Sequence, residues 1–143
     1  TEGSPENKSR IRSVQRQMAQ QRMMADIPTA DVVVTNPTHY AVALRYDTEG
    51  TGAPVVVALG ADLIAGQIRK VAQANDVMIV EAPPLARALY YNTEIGEQIP
   101  AGLYVAVAQL LAYVYQVRTA GQGGRQAPEH PESFPIPDEL QHD

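Results

Sequence analysis

Two apolar runs joined by a four-residue corner constrain this chain more than any other feature. Residues 31–35 (DVVVT) and 40–46 (YAVALRY) are rich in β-branched and aromatic residues, and the corner between them, residues 36–39, reads NPTH. This composition predicts two strands, and an Asn-Pro pair is typical of a turn. The fold must therefore accommodate a strand, a tight corner and a second strand in immediate succession.

The remaining apolar segments predict how the sheet continues. A turn-rich cluster at residues 47–52 precedes a third strand, a helix, a fourth strand and two further helices. Three strands before the first core helix exclude a pure strand-helix alternation, so we predict a mixed sheet. The expected fold is α/β, a small four-stranded mixed sheet flanked by helices, over residues 28–118. The segments are strands 54–59 and 77–80 and helices 62–75, 85–91 and 101–117, with Leu63, Ile64, Ile68, Val71 and Ala72 on the apolar stripe of helix 62–75.

Both flanks of this domain differ from it in composition. Residues 6–24 are polar, carry five of the eleven basic residues and predict an exposed N-terminal linker helix within residues 1–27. That helix is either a solvated linker or a basic segment lying near anionic lipid or a partner surface. Residues 119–143 are rich in Gly, Pro and acidic residues, and they contain too little apolar surface to offset ordering entropy. We therefore predict a disordered C-terminal tail.

Composition excludes several function classes. The chain has no cysteine and only three scattered histidines, so we expect no metal site and no cofactor. A net charge of -5 with dispersed basic residues argues against nucleic-acid binding, which leaves proteins as the expected partners. The apolar run at 101–117 is interrupted by Gln109 and is shorter than the ~20 residues of a membrane span, so it predicts a buried helix. Because the chain starts at Thr1 without an initiator methionine, we expect it to be a piece of a longer protein.

The Asn36-Pro37 bond has an unusual set of chemical options. Asparagine commonly degrades when the next backbone nitrogen attacks its side-chain carbonyl, but Pro37 has no N–H with which to do so. In the remaining intramolecular route the roles are exchanged, so that the side chain supplies the nitrogen and the backbone supplies the carbonyl. The Asn36 amide nitrogen attacks its own backbone carbonyl, closes a succinimide and expels the Pro37 nitrogen, which cuts the chain.

Three neighbours have candidate roles in such a cleavage. A tertiary amide at Pro37 that is held slightly out of plane loses resonance and leaves more easily. His39 is a candidate proton shuttle near neutral pH, and Thr38 is a candidate to hold the turn. The alternative is that Asn-Pro only marks a turn in a non-cleaving α/β protein-interaction module. A multiple-turnover hydrolase using His39 is a weaker alternative, because no nucleophile or carboxylate is near it in sequence.

Three stretches together resemble a known family. VVVTNPTHYAVALRYD, EAPPLARALYYNTEIGEQIP and LYVAVAQLLAYVYQV are similar to the cytoplasmic C-terminal domain of the bacterial flagellar export switch proteins. That family includes export proteins of virulence type III secretion systems. The resemblance covers residues 6–117, and residues 81–100 look more like the flagellar branch.

The resemblance implies an activity and a cellular role. It implies self-cleavage between Asn36 and Pro37 by Asn cyclisation, with Thr38 and His39 completing the motif, as a single-turnover event rather than the work of a turnover enzyme. The two pieces would stay associated at the cytoplasmic face of the bacterial inner membrane, attached through an upstream transmembrane part. The cleaved domain would switch export from rod- and hook-type to filament-type substrates. The implied partners are export-gate proteins, a hook-length control protein and the export substrates.

The resemblance also implies a small apolar pocket that docks early export substrates. The matching positions are Ala53 and Pro54 beside the third strand, and Ala108 and Leu111 on the last helix. Ala108 and Leu111 are three residues apart, which places them on one helix face. Plain core packing is an equally good account of these four residues at this point.

Overall fold

The computed structural model describes residues 5–46, 52–123 and 128–142. Four strands and four α-helices follow one another in the predicted order, with short 3-10 turns at Ile27–Thr29, Ala101–Leu103 and Asp138–Leu140. The predicted turn cluster at 47–52 lies outside the described residues except for Gly52. The elements are α1 (Pro5–Asp26), β1 (Val32–Asn36), β2 (Tyr40–Tyr46), β3 (Pro54–Ala61), α2 (Asp62–Ala74), β4 (Met78–Glu81), α3 (Pro83–Asn92) and α4 (Tyr104–Gly123).

The four strands form one sheet in the order β3-β2-β1-β4. Strand β2 pairs antiparallel with both β1 and β3, whereas β4 pairs parallel with β1. The predicted α/β fold with a four-stranded mixed sheet is therefore confirmed. Strand β1, which ends at the NPTH corner, lies in the interior of the sheet with a partner on each side.

Helices cover both faces of the sheet, and β1 contributes to both cores. Val32 and Val34 pack with α3 and α4, while Val33 packs with α2, and all three are fully buried. A strand that is buried on both faces needs a continuous apolar run instead of an alternating one, and VVV supplies it. The same burial holds β1 firmly between its neighbours.

Helix α2 packs closely on the sheet because of a glycine. A Cβ on Gly60 would overlap Cγ2 of Ile64, so the absence of a side chain permits the approach. Ala65, Ile68 and Ala72 form the buried face of the helix. Leu63, which the predicted stripe includes, is 86% exposed. It precedes Ile68 by five residues and lies about 140° around the helix from it, so this part of the prediction is wrong.

The C-terminal region departs from the predicted disordered tail. Helix α4 continues to Gly123, six residues beyond its expected end, and residues 128–142 pack against α3 and α4. Phe134 is only 8% exposed, and Ile136 and Leu140 lie against the same core. Three apolar side chains bury surface in a Pro-rich segment whose regular structure is limited to the 3-10 turn Asp138–Leu140, and proline lowers the entropy lost on ordering. Composition alone therefore does not reveal that residues 128–142 pack against the core.

The two long helices differ in burial. Only Met23 of α1 is buried, so α1 is the exposed helix that the sequence predicts. Helix α4 buries Val107, Leu110 and Val114 in the core. Within the described part of the chain, no helix has both the length and the apolar character needed to cross a membrane.

Candidate functional site

The NPTH corner forms a tight turn between β1 and β2. Asn36 is the last residue of β1 and pairs with Tyr40, the first residue of β2. The His39 backbone N–H donates to the Asn36 carbonyl oxygen at 2.9 Å, and Thr38 has a φ of 70°. Proline at the second position and a positive φ at the third are the features of a type II turn. Strand pairing on both sides therefore holds the Asn36-Pro37 bond in one place.

Thr38 occupies a backbone conformation that its side chain disfavours. A φ of 70° lies in the left-handed region, where glycine is usual and a β-branched residue is an outlier. The left-handed conformation costs an L-residue roughly 1–2 kcal/mol. Such strain persists only where the surroundings enforce it, and it is concentrated at functional sites. The turn therefore stores energy one residue after the Asn-Pro bond.

The carbonyl group of Asn36 is polarised by the turn itself. Its oxygen is the acceptor of the His39 N–H, and this oxygen would take the negative charge if a nucleophile added to the carbonyl carbon. The Asn36 side chain is half-buried, and no described residue hydrogen-bonds its amide group. A fixed donor on the oxygen and an amide nitrogen without a competing hydrogen bond are two features that would favour Asn cyclisation.

His39 lies at the surface next to an acidic residue. Its Nδ1 is 3.9 Å from Oδ1 of Asp62, and the two side chains are 67% and 80% exposed. The Asp62 backbone N–H also donates to the His39 carbonyl oxygen at 2.9 Å. Asp62 is the first residue of α2 and has a φ of 52°. No local sequence pattern points to this partner, because it lies 23 residues away along the chain.

A group of aromatic rings includes Tyr40, the residue that directly follows the turn. The hydroxyl groups of Tyr40 and Tyr91 are hydrogen-bonded at 2.6 Å, and the Tyr90 ring is 4.5 Å from that of Tyr40. The hydrogen bond to Tyr91, helped by desolvation, raises the pKa of the Tyr40 hydroxyl above its ordinary value. His142, in the C-terminal segment, stacks on Tyr91 at 3.6 Å. Tyr40 directly follows NPTH, which was the available sequence signal for this cluster.

The four residues expected to form a pocket lie together. Ala53, Pro54, Ala108 and Leu111 line one cavity of about 520 Å³. Pro54 is buried and Leu111 half-buried, but Ala108 is exposed, so core packing does not account for all four. The rest of the lining consists of Tyr46, Gly52, Gln98 and Tyr104.

The turn and the cavity lie at opposite ends of the sheet. Tyr40, beside the turn, pairs with Ala61, whereas Tyr46, beside the cavity, pairs with Pro54. Tyr46 follows Tyr40 by six positions along the strand, which corresponds to about 20 Å. The two regions therefore have no shared side chains. Among the residues that the structure describes, no group of three or more His, Cys, Asp or Glu side chains is placed to hold a metal ion.

Comparison with known proteins gives consistent matches over most of the chain. The sequence profile of the FlhB HrpN YscU SpaS family matches residues 1–114. The flagellar biosynthetic protein FlhB of Salmonella typhimurium is 54% identical over 140 residues, which is 98% of this chain and 37% of that protein. FlhB of Bacillus subtilis is 52% identical over 118 residues, 82% of this chain and 33% of that protein. The chain thus spans about a third of the length of these relatives.

Solved structures show the same fold. The cytoplasmic domain of FlhB from Shewanella putrefaciens matches with a TM-score of 0.81 at 51% identity, over 86% of this chain and 95% of that one. A variant of the EscU C-terminal domain matches with a TM-score of 0.61 at 37% identity, over 64% of this chain and 92% of that one. This chain therefore belongs to the FlhB HrpN YscU SpaS family and has the fold of the FlhB cytoplasmic domain.

Proposed function

We propose that this domain of the flagellar export apparatus cuts its own chain between Asn36 and Pro37. The observation that carries the proposal is the hydrogen bond from the His39 N–H to the Asn36 carbonyl oxygen, 2.9 Å long. A preorganised donor on that oxygen stabilises the charge that develops when the carbonyl carbon is attacked. Family membership supports the same conclusion, since the NPTH corner is part of the resemblance.

The reaction needs no external reagent until its last step. Nδ2 of Asn36 attacks the Asn36 backbone carbon and forms a five-membered ring, while the bond from that carbon to the Pro37 nitrogen breaks. His39 takes the proton from Nδ2 and gives one to the departing Pro37 nitrogen. The first fragment then ends in a succinimide, which water opens to Asn or isoasparagine. Because each chain has one Asn36-Pro37 bond to break, the protein acts once and is not a turnover enzyme.

The fragments should remain together after the cut. Strand β1 belongs to the first fragment, and β2, β3 and β4 belong to the second. Val32, Val33 and Val34 are fully buried, and β1 is hydrogen-bonded on one side to β2 and on the other to β4. Withdrawing β1 would expose both cores at once, so the cleaved protein keeps its fold.

The cellular role we propose is a switch in export specificity. The cleaved domain lets the export gate pass from rod- and hook-type to filament-type substrates, under a hook-length control protein. It works at the cytoplasmic face of the inner membrane, to which an upstream transmembrane part attaches it. The cavity lined by Ala53, Pro54, Ala108 and Leu111 docks early export substrates.

Cleavage is tested on newly synthesised chain by denaturing electrophoresis and intact-mass measurement. The wild-type chain should give two fragments, the first ending in succinimide or its hydrolysis product at residue 36. Asn36→Ala should stay intact, and His39→Ala should cleave more slowly without stopping. His130→Ala is the matched control, since His130 lies in the C-terminal segment beside Tyr113, and should cleave normally. A wild-type chain that stays intact after long incubation would refute the proposal.

The alternative is a protein-interaction module in which NPTH is only a turn. The hydrogen bond of the turn is compatible with this alternative as well, because many ordinary turns between paired strands contain it. The module predicts one band for both the wild-type chain and Asn36→Ala, with equal partner binding. Mass measurement alone therefore separates the two functions.

The docking role of the cavity is tested separately. Titration of the chain with a purified hook-type export substrate should show weaker binding for Leu111→Asp, by about tenfold or more, because a charge is placed in an apolar cavity. Leu63→Asp is the matched control, since Leu63 is 86% exposed on α2. Equal loss in both variants, or no loss in either, would count against this site.

A further inference from the structure

Asp62 contacts His39 through both its backbone and its side chain. Its N–H donates to the His39 carbonyl oxygen at 2.9 Å, and its carboxylate lies 3.9 Å from Nδ1 of the imidazole. The backbone of Asp62 is in the left-handed region, with a φ of 52°. That conformation turns the chain from β3 into α2 at the point where the carboxylate reaches the imidazole. One residue thus fixes both the end of the turn and the charge beside the histidine.

We propose that Asp62 is a positioning residue for His39 in the self-cleavage, an inference that rests on the proposed function. A carboxylate on the Nδ1 side favours the tautomer with its proton on Nδ1, which leaves the lone pair on Nε2 as the base. The same negative charge stabilises the imidazolium that exists between proton uptake from Asn36 and proton delivery to Pro37. Asp62 touches none of the reacting atoms and acts only through His39.

The geometry limits the size of the effect. A distance of 3.9 Å exceeds that of a hydrogen bond, so the interaction is electrostatic or passes through one water molecule. Both side chains are largely exposed, and a pair of this kind in water is worth about a three- to fivefold change in rate. Salt screens exposed charges, with a Debye length of about 10 Å at ~0.1 M and about 3 Å at ~1 M. The contribution of Asp62 must therefore fall as salt rises.

Substitutions can separate the charge from the backbone. Asn tolerates the left-handed conformation and has nearly the shape of Asp, so Asp62→Asn removes the charge and keeps the turn. Asp62→Glu keeps the charge on a longer side chain. Asp76 provides a matched control, because it is also an exposed Asp with a positive φ, 57°, and lies beyond the opposite end of α2.

The experiment follows cleavage of newly synthesised chain over time at low and high salt. At low salt Asp62→Asn should cleave about three- to fivefold more slowly than wild type, and Asp62→Glu should recover part of the loss. At ~1 M salt the wild-type rate should approach that of Asp62→Asn. Asp76→Asn should match the wild type in both conditions. Thermal unfolding of each variant in the non-cleaving Asn36→Ala background checks that the fold is intact.

Two outcomes would overturn the proposal, and they are distinguishable from failure of the proposed function. One is that Asp62→Asn cleaves at the wild-type rate in low salt. The other is a slower rate that salt does not affect and that Asp76→Asn reproduces, which would assign Asp62 a purely structural role. A wild-type chain that never cleaves would instead refute self-cleavage and this inference together.

Discussion

Replacing Thr38 by glycine should slow cleavage while making the uncleaved chain more stable. Thr38 has a φ of 70°, and holding a β-branched residue there costs roughly 1–2 kcal/mol. After the cut, Pro37 becomes a free chain end and Thr38 can relax. If the transition state releases all of this strain, it accelerates the wild-type reaction by about five- to thirtyfold. Glycine adopts the same φ without strain, so Thr38→Gly should lose that acceleration.

Stability should change in the opposite direction. In the non-cleaving Asn36→Ala background, Thr38→Gly removes the strain but adds unfolded-chain entropy worth about 0.5–1 kcal/mol. The net gain in the free energy of unfolding is therefore between zero and about 1.5 kcal/mol. Thr38→Asn should lie between Thr and Gly in both measurements, because Asn tolerates the left-handed region better than a β-branched residue. The expected order of cleavage rates is Thr, then Asn, then Gly.

The assay pairs a cleavage time course with urea unfolding of the non-cleaving versions. Asp76→Gly is the control for strain elsewhere, because Asp76 has a φ of 57° beyond the far end of α2. It should stabilise the chain and leave the cleavage rate unchanged. If Thr38→Gly is more stable but cleaves at the wild-type rate, strain is not used in the reaction. If its stability falls, the strain itself was wrongly inferred.

Three further predictions concern the packing around the site. Gly60→Ala should destabilise the fold by about 1–3 kcal/mol in thermal unfolding, because the new Cβ would overlap Cγ2 of Ile64. Gly66→Ala should not destabilise the fold, because its new Cβ would meet only the end of the Arg69 side chain, at 3.6 Å. Phe134→Ala should cost about 2–3 kcal/mol in urea unfolding and make residues 128–142 sensitive to protease. This cost is less than the ~3–5 kcal/mol that a Phe→Ala substitution costs in a protein core, because the C-terminal segment can detach from the rest of the fold. Folding raises the pKa of the Tyr40 hydroxyl above its ordinary value of 10.0, so the folded chain holds this proton more tightly than the unfolded chain does. The protonated hydroxyl therefore stabilises the fold fully below pH 10.0, and this stabilisation is lost as the pH rises through the pKa of the folded state. Tyr40→Phe should therefore lose stability less steeply above that pH in an alkaline titration.

The elements of the fold could be predicted from sequence where the pattern and the environment agree. Strand β2 has its predicted bounds, 40–46. Its apolar residues 41–44 are buried, and its last two residues, Arg45 and Tyr46, are exposed, so the sequence pattern agrees with the environment. Helix α2 ends at Ala74 with Asn75 as its cap, where Nδ2 of Asn75 donates to the Val71 carbonyl oxygen at 2.8 Å. The C-terminal segment could not be predicted, because burial of Phe134 depends on a groove formed by distant elements.

The candidate site likewise contains residues that the sequence indicates and residues that only the fold brings together. The chemistry of Asn36-Pro37 is local, so bond structure alone made chain scission a candidate beside an ordinary turn, and the resemblance to a family then favoured scission. Asp62 and Tyr91 are brought to the turn by the sheet and by α3, and no local pattern marks them. The four cavity residues followed from the resemblance to a family, since Ala and Pro beside a strand have no distinctive spacing. Sequence thus indicates which bond is the candidate for cleavage, and the fold determines what surrounds it.

The separation of the two regions restricts how a cut could alter export specificity. The turn and the cavity are about 20 Å apart along β2, so cleavage cannot remove a lining residue or add one. Strand β1 stays paired on both sides, which keeps the centre of the sheet unchanged. What the cut does free is the Asn36 and Pro37 chain ends, the strained Thr38 and the contact between His39 and Asp62. A switch that depends on cleavage therefore acts first at the start of β2 and of α2. Any effect on the cavity must pass along β2 and β3, whose far ends, Tyr46 and Pro54, line it.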